Sequence, residues 1–473
     1  MALVIANNVS SLIAQNNLQR TNTNLGKSIE RLSSGLKVNR GADGPAALVI
    51  SEKQRAQIAG LRQAIENSEK AVSVVQTAEG ALNEISSLLT KVRSLSLDSA
   101  NTGVNDADAQ AANQAEISNA LDTINRIANN TQFANKKLLD GSAGISGVTT
   151  DSDVTFLTSD TTASPGTYAV NVTQEAQRAT ATAGTGQSAN LAADEVLTIN
   201  GVSITLNAGL SRAEVQDRIN EFTGQTGVVA EEDPNTAGST RLRTEEFGAG
   251  ASLQVVSNLA GAVDSSGFGT TQVTDTGQDI AGTIGGSAAS GVGNVLSSTA
   301  GAAKGTVLTV GEDAADLVNT VTGANGNVTI TDNSLVFQIG PNADQTVSVA
   351  IGSVNPTGLG LGVSNNQFAS LGEIDVTSAS KAQDAIKVID QAIDDVVTLR
   401  GELGAFQANT LESNTDNLRA TLENSVNAES VIRDTDFASE IANFTKQQIL
   451  MQAGTSVLGN ANQSSQLILS LLG

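Results

Sequence analysis

The sequence predicts an α+β fold, with long helices contributed by both ends of the chain and a β-rich domain inserted between them. Three observations predict it. Apolar residues recur at three- and four-residue steps near both termini but alternate every second residue in the middle. Charge divides the same way: net +1 over residues 1–140, −16 over 141–369 and −8 over 370–473, within a total of −23. Gly, Ser and Thr also gather in the middle part, with four of the five prolines.

Taken in order, Ile29, Leu32 and Leu36 step by three and four along a first helix. Gly41-Ala42-Asp43-Gly44-Pro45 breaks it, and Pro45 suits the first turn of the next, where its missing N–H costs nothing. That second helix carries a near-heptad seam through Ile58, Leu61, Ile65, Val72, Val75, Leu82, Ile85, Leu89 and Val92. Asn101-Thr102-Gly103 stops it, and Ile117, Leu121 and Ile124 mark a third helix reaching about Asn129.

In the middle, residues 167–173 and 196–206 alternate like strands, with a hairpin turn at Asn200-Gly201. Ala213 to Phe222 reads as helix, and Leu253 to Val256 as strand. Residues 260–300, poor in large apolar groups, read as loop-rich. Leu335–Ile339 and Thr346–Ile351 form a hairpin across Gly340-Pro341-Asn342. Beyond it, Ile386, Ile389, Ile393, Val396, Leu403 and Phe406 restart the helical period, and Leu411, Leu418 and Leu422 continue it. The last forty residues add Phe437, Ile441, Phe444 and Met451 and close on the apolar run Leu467 to Leu472. Residues 1–36 hold only isolated apolar positions among Asn, Gln and Ser, so alone they cannot offset their ordering entropy and need partners.

Composition removes most active-site chemistry. With no His and no Cys there is no His-based triad, thiolate nucleophile, His/Cys zinc site, cysteine-bound cluster or disulfide. Aromatic residues are 2% of the chain, too few for an ordinary ligand pocket. The acidic balance argues against nucleic acid or an anionic membrane surface as partner, and no stretch approaches the ~20 apolar residues of a membrane span. Met1 to Asn8 has no basic n-region, unlike a conventional signal peptide. Asp151-Ser152-Asp153 and residues 274–279 offer oxygen ligands for calcium but lack the twelve-residue spacing, so solvated loops are expected. A hydrolytic carboxylate pair would need a shaped pocket that nothing in the insert marks.

Arg31-Leu32-Ser33-Ser34-Gly35-Leu36-Lys37-Val38-Asn39, followed by Asp43-Gly44-Pro45-Ala46-Ala47-Leu48-Val49-Ile50, resembles the N-terminal signature of bacterial flagellins. Ala428 to Ala438, Gln447 to Ala453 and Ala461-Asn462-Gln463 resemble the C-terminal signature. Residues 196–256 look like the small repeat of flagellin inserts and related hook-associated proteins. One departure stands out: many relatives carry Gln-Asn-Arg where Leu403-Gly404-Ala405-Phe406 leads here into Gln407-Ala408-Asn409-Thr410.

The resemblance implies a non-enzymatic subunit, without cofactor or metal. Such a subunit is secreted through the flagellum's own export apparatus, assembled under a cap beside hook-associated proteins, and polymerised head-to-tail into the helical filament used for swimming. It implies inner-core helices at 1–44 and 432–473, an outer-core helical bundle with β-hairpin at 45–175 and 335–431, and a variable surface-exposed β-rich domain at 176–334. Leu32, Leu36, Phe437, Ile441 and Phe444 are the expected assembly residues, and the C-terminal stripe is where a flagellar secretion chaperone would hold the chain before export. The flagellin-sensing Toll-like receptor of animal hosts would read Leu89, Lys91, Leu95 and Asp98, with Glu116 on the following helix. Two rival readings are the hook–filament junction protein and a secreted adhesin or glycan-binding filament protein.

Overall fold

A computed structural model describes residues 8–160, 163–314, 316–364 and 366–471. The helices are α1 (Val9–Ser34), α2 (Pro45–Ser99), α3 (Ala107–Asn130), α4 (Arg212–Asn220), the single turn α5 (Thr223–Thr226), α6 (Ala379–Ala405), α7 (Ser413–Arg433) and α8 (Phe437–Leu471). The expected start of the first helix at residues 1–7 and the side chains of the apolar run 467–472 lie outside the described residues. The chain divides into two compact units, Met1–Glu69 with Gln338–Thr346 and Glu412–Gly473, and Lys70–Phe337 with Val347–Leu411.

In the first unit α1 and α8 run antiparallel. Asn8 Nδ2 donates to Ala461 O at 3.0 Å near one end. At the other, Ser28 Oγ donates to Glu440 Oε1 at 2.6 Å, and Leu36 and Asp434 form an antiparallel bridge. Both helices are capped by the residues the sequence supplies. The Asn8 side chain accepts from the Ser11 amide, and Gly35 closes α1 in the left-handed region at φ 74°. Asp436 Oδ1 accepts from the amides of Ala438 and Ser439 to start α8. The break before α2 is fixed by Asp43, whose carboxylate takes the amides of Asn39 and Arg40. The hydrogen bond from the Arg40 amide holds the Asp43 pKa below its ordinary value. Leu61 and Ala64 of α2 pack with Leu418 of α7, and Ile65 and Leu422 flank them.

In the second unit α2 buries Leu82, Ile85, Leu89 and Val92 completely, α3 buries Ile117 and Ile124, and α6 buries Val388, Ile389 and Val396. Arg93 on α2 donates to Asp390 on α6 at 2.6 Å, and Lys91 pairs with Glu116 on α3 at 2.5 Å, so the three helices lie side by side. Between α6 and α7, residues Phe406–Glu412 form a π-helix. The departure from the flagellin signature falls in this stretch.

The β-part has two cores. An antiparallel sheet of eight strands runs in the order 145–149, 323–332, 166–174, 281–284, 287–292, 295–298, 307–310 and 154–158. Its two edge strands are consecutive in the chain and lie against each other: a Cβ on Gly147 would sit 2.2 Å from the Phe156 ring. The sheet therefore curls around Val154, Val170, Val172, Leu296, Leu308 and Val328. It runs across residue 175, where the sequence analysis ends the helical outer core. Strands 145–149, 154–158 and 166–174 share one interior with strands drawn from the insert.

A second lobe packs a four-stranded sheet, a three-stranded sheet and α4 around Leu197, Ile204, Leu206, Val215, Leu242 and Leu253. Its hairpin turns at Asn200 and Gly201 with φ of 47° and 82°, as the Asn-Gly pair requires.

The expectation of a loop-rich 260–300 is corrected. Four strands lie there: Val273–Thr276, Ala281–Ile284, Ser287–Val292 and Val295–Ser298. Small side chains are what the sheet demands at this point, since a Cβ on Gly282 would meet Asn171 O at 2.4 Å. The hairpin 335–349 forms as expected. Its tip is fastened within the first unit, where Asn67 Nδ2 donates to Gln338 O and Asn414 Nδ2 to Ile339 O.

Candidate functional site

The chemistry the chain displays most openly is apolar, and it is concentrated on α1 and α8. Phe437 and Ile441 are 52% and 53% exposed, while Leu32, Leu36 and Phe444 are half-buried. The Phe437 ring lies over the Gly35 turn, 4.0 Å from where a Cβ would stand. Most of the exposed apolar residues lie at other positions on the same two helices. Val9, Leu12 (63% exposed) and Ile13 on α1, and Ile449, Leu450 and Val457 on α8, all face solvent. In the sequence they stand as short apolar groups among polar residues, such as Leu12-Ile13 and Ile449-Leu450.

Against this, the described part of the first unit buries few apolar side chains: Ala14, Leu25, Val38, Ile58, Leu61, Ala64 and Leu418. Burying a Val, Leu, Ile or Phe side chain is worth about 1.5–3 kcal/mol. The first unit thus leaves more large apolar side chains in water than it buries among its described residues.

On the face assigned by resemblance to a host receptor, one residue is corrected. Leu89 is fully buried, since it continues the Leu82–Ile85–Val92 stripe and belongs to the core of the second unit. Lys91 and Glu116 are exposed and paired with each other, and Asp98 accepts from Asn113 Nδ2 at 2.9 Å. Leu95 is half-buried, and the sequence reading passed over Leu97, which is 58% exposed.

The acidic loops considered for calcium are occupied internally. Asp151 Oδ1 accepts from the Asp153 amide, Asp275 Oδ2 from the Thr180 amide, and Asp279 Oδ1 from the amides of Ala249 and Gly293. Among the described residues no group of three or more carboxylates is placed to hold a metal ion, and no helix is long and apolar enough to cross a membrane.

A polar cleft of about 790 Å³ in the second unit was not foreseen. Burial pushes the Glu246 carboxyl up to about 8, and the facing charges of Glu373 and Glu245 push the same way. Glu373 is raised as well by loss of surrounding water, although its carboxylate accepts from the Ala369 amide at 3.0 Å. Nothing in sequence joins residues 246 and 373, which only the packing of the second lobe beside α6 brings together.

Comparison with known proteins bears on the whole chain. Residues 5–144 match the model of the bacterial flagellin N-terminal helical region, and residues 386–472 that of the bacterial flagellin C-terminal helical region. A flagellin of Salmonella rubislaw is 32% identical over 512 residues, covering all of both chains. A flagellin of Clostridium tyrobutyricum is 31% identical, covering 98% of this chain and 100% of its own. Among solved structures, FliC from Burkholderia pseudomallei is similar at 16% identity and a TM-score of 0.24, over 71% of this chain and 98% of that one.

Proposed function

Because this chain belongs to the bacterial flagellin family, we propose that its paired terminal helices are the surfaces through which it polymerises. It is a structural subunit of the flagellar filament, the extracellular assembly that drives motility. The single observation that carries the assembly reading is the bare apolar surface of α1 and α8 (Val9, Leu12, Ile13, Ile449, Val457) on helices that are otherwise well capped. A patch on one subunit that fits a different patch on the next makes a heterologous contact. Repeated without closure, that contact yields a helical filament. The full-length match to flagellins favours this role over a junction protein or an adhesin.

Residues 1–44 and 432–473 then form the inner tube, the helices of 45–144 and 350–431 with the hairpin 335–349 the layer around it, and the insert the outer surface. The strands at 145–174 go with the insert, because they share its sheet. The role is mechanical, and no catalytic step is assigned to any residue. The cap and hook-associated proteins meet the same subunit ends at the growing tip. Before export, the secretion chaperone covers Phe437, Ile441 and Phe444, an assignment supported by the exposure of Phe437 and Ile441 on α8. The host receptor reads Lys91, Leu95, Asp98 and Glu116 on the free subunit.

The test is deletion of residues 440–473. The truncated chain stays soluble, keeps the second unit folded by circular dichroism, and does not extend filament seeds. Elongation by the truncate would show that α8 is not the contact.

A further inference from the structure

Within the second unit the second β-lobe is seated on the N-terminal end of α6 by few direct bonds. Thr377 Oγ1 donates to Gly224 O at 2.5 Å, and Lys381 Nζ donates to the same carbonyl at 3.2 Å while pairing with Asp375 at 2.6 Å. Beside them the backbones touch, for a Cβ on Gly250 would lie 2.4 Å from Asn366 O. The rest of the junction is the polar cleft, with Glu245 and Glu246 on the lobe side and Glu373, Asp375 and Asp384 on the α6 side.

The cations nearby are committed elsewhere. Arg178 pairs with Glu312 and stacks on Phe247, Arg243 pairs with Glu231, Lys387 pairs with Asp384, and Lys381 is held by Asp375. Asp279, close to the Gly248 turn, is tied to the amides of Ala249 and Gly293. Ionised Glu246 would therefore face Glu373 and Glu245, with only the attraction of Arg178 and Lys381 against them, and those two cations are already shared with Glu312 and Asp375.

We propose that this cleft is a proton-operated joint: with the Glu246 carboxyl neutral the lobe stays seated on α6, and with it ionised, repulsion from Glu373 loosens the seat. The direction of the Glu246 shift supports the geometry, because the seated arrangement favours the protonated acid. The transition falls in mildly alkaline solution, where the lifted carboxyl titrates. Like charges brought together in a partly dry cleft are screened far less than surface charges.

The chain has no native cysteine, so Asp217→Cys on α4 and Gln383→Cys on α6, both exposed, carry spin labels at two sites only. Double electron–electron resonance on the full-length soluble chain is compared at about pH 6 and about pH 9.5. The expected result is one narrow distance at the lower pH, and a longer or broader distribution at the higher. In the same labelled chain Glu246→Gln keeps the low-pH distribution at both. Glu373→Gln, which removes the facing charge and leaves Glu246 in place, requires a higher pH or a weaker shift than the parent. Circular dichroism confirms that each variant is folded. A distance distribution that ignores pH in the parent, or that shifts equally in Glu246→Gln, overturns the proposal.

Discussion

The two units of this chain solve opposite problems with the same small set of aliphatic residues. The second unit closes its own cores, with Leu82, Ile85, Leu89 and Val92 in the bundle, Leu296 and Leu308 in the curled sheet, and Leu197 and Leu242 in the lobe, all fully buried. The first unit has good caps, long helices and a bonded hairpin tip, yet it leaves Leu12, Ile13, Ile449 and Val457 in water. Most of a helix's stability in a protein comes from packing its apolar face and little from propensity. The first unit's helices therefore leave apolar area open, which under the proposed assembly a neighbouring subunit would cover.

The sharpest way to break that contrast is to charge the open face. Ile13→Asp or Ile449→Asp leaves the thermal transition of the monomer within the range of ordinary surface changes, about ±0.5 kcal/mol. Elongation from seeds, followed by light scattering, stops or needs at least ~10-fold more subunit, since each copy would bury an unpaired carboxylate. Normal growth by both variants would remove α1 and α8 from the assembly surface.

The converse change belongs to the other unit. Leu89→Ala deletes a fully buried side chain and should lower monomer stability by about 2–5 kcal/mol in denaturant unfolding. Seeds should still accept the folded fraction. If Leu89→Ala instead left stability intact, the residue would be accessible, as the resemblance to flagellins first suggested.

This contrast also decides what could be read from sequence. Periodicity revealed the helices, because Leu82–Ile85–Leu89–Val92 and Ile386–Ile389–Ile393 pack against their own chain and so repeat regularly. The break at Gly41–Pro45 was legible because caps and turns are local chemistry, carried there by Asp43. Asn200-Gly201 announced its turn for the same reason. The strands at 281–298 stayed hidden. There the sheet presses against neighbouring backbone, and small residues that read as loop are the only ones that fit. The open faces were only partly legible, since Leu12, Ile13 and Val457 take no part in this chain's own core. The cleft at Glu246 and Glu373 was illegible, being the product of tertiary packing over more than a hundred residues of separation.

That cleft gives a pH dependence confined to the second unit. The Glu246 pKa is raised in the folded chain from an ordinary 4.5 to about 8. Its stabilising contribution is fully present below the ordinary value, is lost as pH rises towards about 8, and is flat beyond. Glu246→Gln should flatten the stability profile of the second unit over that window and raise its melting temperature in mild alkali by a few degrees. The first unit, whose Glu440 is bonded to Ser28, should show no change in the same variant, measured by hydrogen exchange of the α1 and α8 amides. An equal change in both units would place the effect outside the cleft.

The smallest effect is expected where the two strategies meet on one helix. Lys91 and Glu116 form an exposed ion pair at 2.5 Å, and exposed pairs are worth about 0–1 kcal/mol. Glu116→Gln should therefore leave the monomer's melting temperature unchanged within a degree or two. Its interest is what it exposes. Lys91 is an ammonium where an arginine fork would bind bidentately, and its charge is already matched by Glu116, so the proposed receptor contact should be weak in the parent chain. Glu116→Gln frees Lys91 but removes a carboxylate the receptor is proposed to read, so in a receptor reporter assay it should change signalling by free subunits little, whereas Leu95→Ala should lower it. Intact filaments should be silent with all three proteins if this face is covered by a neighbouring subunit. Equal signals from the parent, Glu116→Gln and Leu95→Ala subunits would show that this part of α2 is not what the receptor reads.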